Sequence, residues 1–299
     1  ICIPRNSSHA LQYSIRQEPS SPKVLGQNCV MSIRYYQPRR RRRSGTSPRR
    51  SAILYLLLAI ALLSQISYPL LNGEALRVIT LVTVFSAAVT MVIHSYLSFG
   101  PKFALRFFSI TFFYSLIVEV IGTRTGWPFG NYKYSTTLGA QLFGVPLVVM
   151  FAWMMMAYPT LILARRVSRH WTFLIGGYTM MAWDFFLDPQ MVAAGRWNWD
   201  FTGRHVPFQP EIPLSNAFGW LLTGMGLIAL LQLSLPKDRR SSISHRFIPE
   251  FFLVWTWLGG VIANLFFFNR PGTALIGGLG LGLAIASYYT LSRIGRADD

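Results

Sequence analysis

Apolar residues in this chain come in runs of about 20, and these runs fill most of the sequence after residue 51. A helix of that length crosses the hydrocarbon core of a bilayer. Eight runs are predicted as helices, at roughly 52–71, 76–98, 103–122, 141–164, 171–190, 215–235, 250–268 and 272–292. No repeat of the soluble solenoid kind is visible. The expected fold class is therefore all-α: a polytopic transmembrane helical bundle of about eight spans, with seven as the alternative count.

Composition agrees. The 299 residues are 52% apolar and only 13% charged, against about 25% charged in a soluble domain. Mean hydropathy is +0.36. The net charge of +17 is unevenly placed. Much of it precedes residue 51, in the five arginines Arg39 to Arg43 and in Arg49 and Arg50. A basic tail beside a span acts as an orientation signal and a contact for anionic lipid, so nucleic acid is not an expected partner. Residues 1–50 are read as a basic, disordered tail and 51–299 as the integral membrane domain. Met31 is a candidate start of translation. The two cysteines, Cys2 and Cys29, lie before it and make no disulfide framework. No cleavable signal peptide is evident, because the basic tail runs into a full-length span.

Charge in the connections sets an expected orientation. One set of loops holds Lys102, Arg106, Arg165, Arg166, Arg169, Lys237, Arg239, Arg240, Arg246, Arg293 and Arg296. The other holds Arg77, Arg124, Lys133, Arg196, Arg204 and Arg270. The bias places both termini in the cytoplasm, and eight spans satisfy it. Two outer connections, 123–140 and 193–216, are longer than the rest and rich in Trp, Tyr, Phe, Gly and Pro. Some of these rings belong to the aromatic belt at the headgroups. Connections that merely join helices are short, however, and long aromatic ones suggest a lid over an apolar ligand site.

An ionisable side chain inside a span costs at least about 2.5 kcal/mol at the centre, so each one needs a reason. Few occur: Glu119 near the outer end of the third run, Asp184 and Asp188 in the outer half of the fifth, and His94 near the inner end of the second, where it can reach the interface. Asp184 and Asp188 are four residues apart and share one helix face. Two carboxyls so close in low dielectric do not both ionise readily, which leaves a protonated acid beside an anion. The bland alternative has Asp188 turning the chain before Pro189 and Asp184 pairing with Arg124.

Other signals are weaker. The five histidines (9, 94, 170, 205, 245) are never within four residues of one another, which argues against a histidine-box oxygenase. Magnesium could use Asp184 and Asp188, but the second acidic motif of a membrane prenyltransferase is not visible. No metal and no cofactor are assigned. The glycines from Gly277 to Gly282 sit inside a span with no strand before them, so they read as helix packing rather than a dinucleotide loop. Met154, Met155 and Met156 form an adaptable apolar wall. Asn216 and Asn264 could bond between helices.

Five segments occur in a fixed order: GTRTGWPFGNYKY (122–134), VPLVVMFAW (145–153), AWDFFLDP (182–189), GRWNW (195–199) and IPLSNAFGW (212–220). Together they resemble the bacterial and archaeal carotenoid biosynthesis membrane proteins of the CruF type, over roughly residues 75–292. The resemblance implies a carotenoid hydratase, a hydro-lyase of the cell membrane. Such an enzyme adds water to the terminal trisubstituted double bond of an acyclic carotenoid end and leaves a tertiary alcohol. Implied substrates are acyclic or monocyclic carotenoids such as lycopene-like, γ-carotene-like and bisanhydrobacterioruberin compounds. Implied partners are membrane lipid and other enzymes of carotenoid biosynthesis.

Roles follow from the chemistry rather than from the resemblance. Markovnikov hydration needs an acid to protonate one alkene carbon, stabilisation of the tertiary cation, and capture by water. A carboxylic acid kept neutral by burial supplies the proton, a carboxylate orients the water, and aromatic faces stabilise the cation. Asp184 is the expected acid, with Asp188 or Glu119 as its partner. Trp127, Tyr132, Tyr134, Trp183, Trp197, Asn216 and Arg124 are expected to bind substrate. The bundle should open sideways to lipid, where the substrate dissolves. The alternatives are a membrane prenyltransferase or carotenoid cyclase, and a non-enzymatic transporter or scaffold.

Overall fold

The computed structural model describes residues 48–168, 170–236 and 247–297. The basic tail to residue 47, Met31, both cysteines, Arg169 and the basic loop from Lys237 to Arg246 lie outside the described residues, as do the side chains of Arg49, Arg50, Arg293 and Arg296. Among the described residues are eight long helices: α1 (Pro48–Ser67), α2 (Gly73–Phe99), α3 (Pro101–Thr125), α4 (Leu147–Val167), α5 (Thr172–Ala193), α6 (Leu214–Ser234), α7 (Phe247–Phe266) and α8 (Pro271–Ala297). Seven of them are long and apolar enough to cross a membrane. The exception is α5, which carries Asp184 and Asp188. The chain is thus a polytopic helical membrane protein.

Local chemistry explains the breaks. Gly100 alone joins α2 to α3. Its φ of 93° lies where only glycine is at ease, and Pro101 then starts α3. Gly126 ends α3 in the left-handed conformation and donates its N–H to the carbonyl of Gly122. At the other end of the bundle, Arg165 donates to the side chain of Gln232 (2.6 Å) and to the carbonyls of Leu235 and Pro236. Arg106 reaches the carbonyl of Ser234 at 3.3 Å. Two arginines expected only as orientation signals therefore also satisfy the orphan carbonyls ending α6.

Helix α4 is the centre of the bundle, with 83% of its span buried, whereas α1 and α7 are the least buried spans at 22% and 28%. Helix α5 packs closely on α6 through glycines. A Cβ on Gly177 would come within 2.4 Å of Met225 Cγ and 2.7 Å of the Leu221 carbonyl, and one on Gly176 within 2.6 Å of Ile228. The ring of Phe186 lies over Gly260 of α7 and Gly277 of α8, and Gly280 faces Ala182. The glycine-rich stretch of α8 therefore seats helices against each other. His94 differs from expectation: it is fully buried and shares a 2.8 Å hydrogen bond with the Tyr158 hydroxyl, so it does not reach the interface. Asn264 bonds back to the Gly260 carbonyl of its own helix rather than to a neighbour.

The two long connections fold together. The strand β1 (Tyr132–Tyr134) follows α3; two short paired strands, β2 (Gln141–Leu142) and β3 (Val145–Pro146), then lead into α4. Strand β4 (Trp197–Trp199) follows α5, and the pair β5 (His205–Val206) and β6 (Gln209–Pro213) leads into α6. Strands β1 and β4 pair antiparallel, Tyr132 with Trp199 and Tyr134 with Trp197. Alternation then sends Tyr132, Tyr134, Trp197 and Trp199 to one face, while Lys133 and Asn198 are exposed on the other.

Replacing Gly177 by valine should force α5 and α6 apart. Because one obstacle is backbone, a destabilisation of about 1–3 kcal/mol or more is expected. A lowered unfolding midpoint of the detergent-solubilised protein measures it, and an unchanged midpoint would contradict the packing.

Candidate active site

The carboxyl groups come to the site from two helices. Near the C-terminal end of α3, Glu119 is buried and accepts three hydrogen bonds. The Tyr132 and Tyr134 hydroxyls donate to Oε2 at 2.6 and 2.8 Å, and Trp153 Nε1 of α4 donates to Oε1 at 2.9 Å. The approach of Tyr132 depends on Gly122, where a Cβ would stand 2.6 Å from its hydroxyl. Burial first, and then the adjacent Glu119, push both tyrosine hydroxyls well above their ordinary range. Both stay protonated and keep donating.

On α5, Asp184 and Asp188 are likewise buried. A single nitrogen, Asn216 Nδ2 in the first turn of α6, donates to Oδ2 of both, at 2.9 Å for Asp184. Trp197 Nε1 of β4 donates to Asp188 Oδ1 at 3.1 Å. Asp184 Oδ1 is buried with no hydrogen-bond partner. A proton held between the two carboxyls would satisfy it.

Between the two centres lies a cavity of about 420 Å³. Glu119, Asp188 and Asn216 are polar groups in its wall, together with Gln65, Gln190 and three threonines, and the rest is a mixture of aromatic and aliphatic side chains. Trp153 and Trp220 stack at 4.6 Å, and Trp183 meets Trp220 edge-on at 5.7 Å. Tyr134 and Trp197 meet edge-on at 5.6 Å. A cation formed here would face ring surfaces rather than water.

The expected residues divide. Glu119, Asp188, Asn216, Tyr132, Tyr134, Trp183 and Trp197 all line the cavity. Asp184 is not part of its wall; it sits behind, tied through Asn216. Arg124 is exposed at the end of α3 and does not line the cavity, so it neither binds there nor neutralises Asp184. Trp127 is 61% exposed and also lies outside the cavity wall. Trp153, Trp199, Trp220 and Phe129 line the cavity although sequence reasoning did not single them out. All four stood inside the ordered segments, and Trp153 lay in one otherwise read as merely apolar. Among the described residues, no group of three or more His, Cys, Asp or Glu side chains could hold a metal ion.

The bisanhydrobacterioruberin hydratase of Haloarcula japonica is 32% identical over 202 residues, covering 62% of this chain and 65% of that protein. The chain thus spans just under two thirds of its relative's length. No solved structure matches. The model of the family described as "Carotenoid biosynthesis protein" matches residues 78–284, a stretch that holds every carboxyl group of the cavity, and the chain belongs to that family.

Proposed function

We propose that the protein is a carotenoid hydratase, a multi-pass hydro-lyase of the cell membrane with both termini in the cytoplasm. Its reaction adds water to the terminal double bond of an acyclic carotenoid end and gives a tertiary alcohol. One observation carries this reading. Two carboxyl centres of different character, Asp188 with Asp184 and Glu119 with its three donors, face one aromatic cavity. The hydratase activity named for the Haloarcula japonica relative supports it.

The two centres suit opposite halves of the reaction. Asp184 and Asp188 share one donor nitrogen, and Asp184 Oδ1 alone has no partner, so the pair holds one proton that rests on Asp184 and reaches the alkene through Asp188. Asp188 faces the cavity and is the acid; Asp184, behind it, is a positioning residue. This differs from the sequence-based expectation of Asp184 as the acid. The proton adds to the alkene carbon nearer the chain, and the positive charge forms on the dimethyl-substituted carbon. Trp153, Trp183 and Trp220 present the faces that stabilise it. Glu119, filled by three donors, is the carboxylate. Water bonds to the cationic carbon and passes its surplus proton through a tyrosine hydroxyl to Glu119. Return of that proton to the aspartate pair resets the site. Asn216 and Trp197 hold the acid in place, and Tyr132 and Tyr134 hold the base. Lipid and other carotenoid enzymes are the natural partners of such a catalyst.

Expression in a lycopene-producing bacterium should yield pigment heavier by one or two waters, read by chromatography and mass spectrometry. Treating the membranes with EDTA should leave that product unchanged, whereas a magnesium-dependent prenyltransferase would stop. At equal protein in the membrane, Asp188→Asn should lower hydration roughly 10²–10⁴-fold, the range a general acid contributes. Asp184→Asn should lower it less. Normal product from Asp188→Asn would remove that residue from the acid's role.

A further inference from the structure

The wall of the cavity is not uniform. Its lining from α3, α4, α5 and α6 is buried or half-buried. The lining residues that are also exposed on the outside of the bundle are Ile66 of α1, Leu258 and Ile262 of α7, and Phe267 just beyond it. Ile262 is 50% exposed and Ile66 49%. These residues lie in, or just beyond, the two least buried spans.

The chamber side of α7 is shaped for passage. Trp255, Gly259 and Ala263 recur every four residues and line the cavity. A Cβ on Gly259 would meet nothing nearer than 3.9 Å, and that contact is to Trp255 of the same helix. On Gly260, by contrast, it would stand 2.8 Å from Phe186. Gly260 is small because a ring packs on it, whereas Gly259 is small beside empty space. One polar tie crosses this part of the wall: Trp255 Nε1 donates to Gln65 Oε1 of α1 at 2.7 Å.

A conjugated polyene is a stiff rod. Its end group fits a chamber of about 420 Å³, but the rod cannot coil inside and is insoluble in water. It must leave through a slot that faces lipid. We propose that the gap between α1 and α7 binds the stem of the polyene substrate, with Gly259 setting its bore and the Gln65–Trp255 hydrogen bond closing its mouth. The proposal rests on the hydratase reading for the identity of the occupant. It adds a stem-binding site and a residue that determines which end groups can enter at full chain length.

The test uses the full chain expressed in lycopene-producing cells, with two readouts: lycopene absorbance co-purifying per protein in detergent, and the water content of the pigment. Gly259→Leu should reduce both at least tenfold. Leu222→Trp, on the exposed side of α6 and outside the cavity, should change neither. If Gly259→Leu fails to accumulate as a monodisperse protein, Ile262→Trp at the mouth takes its place with the same expectation. A folded variant that binds lycopene as the unaltered protein does overturns the stem site, whether or not hydration falls. If the unaltered protein binds lycopene and adds no water, the hydratase reading fails. Loss of binding in the variant would then still support the slot.

Discussion

The aspartate pair of this site depends on one nitrogen atom. The side-chain amide of Asn216 donates to both Asp184 and Asp188, so two carboxyl groups can sit together in a membrane-embedded bundle. That contact requires α6 to lie close against α5. Closeness in turn requires Gly176, Gly177 and Gly224, where side chains would collide with the opposite helix. The second carboxyl centre obeys the same rule with different parts. Glu119 is tolerated because β1 supplies two hydroxyls and α4 an indole N–H. In both places a costly acid is admitted only where neighbouring elements bring donors.

The extramembrane segments therefore do more than cover the bundle. Pairing of β1 with β4 fixes which rings point inward, and two of those rings carry the hydroxyls on Glu119 while a third donates to Asp188. The aromatic wall and the acid–base groups are thus positioned by the same short ladder. Residues between the inward rings, Lys133 and Asn198, are left for water. Aromatic residues near a membrane surface are commonly headgroup anchors. Here strand pairing separates those that anchor from those that line the chamber, and Trp127 stays outside.

Much of this was legible in the residues. Runs of apolar residues locate the helices because length and hydropathy are one-dimensional properties. Glu119, Asp184 and Asp188 stood out because charge is rare in such runs. Three things were not legible. Trp153 as a donor to Glu119 needs the rotation of α4 about its axis, which an all-round apolar helix does not encode. Which aspartate faces the cavity is decided by the α5–α6 contact, since both share a helix face. Arg124 was a candidate counter-charge for Asp184, yet the donor there is the neutral amide of Asn216 and the arginine is exposed.

Helix α5 is the one long helix too polar to qualify as a membrane span by length and composition alone. A translocon reads each segment as it emerges, and a segment of this kind partitions poorly by itself. Its retention in the bilayer then relies on α4 before it or α6 after it, whose Asn216 supplies the amide for its acids. Biogenesis and chemistry are coupled in this chain: the helix that carries the acid pair is held in place by the neighbour that makes that pair stable.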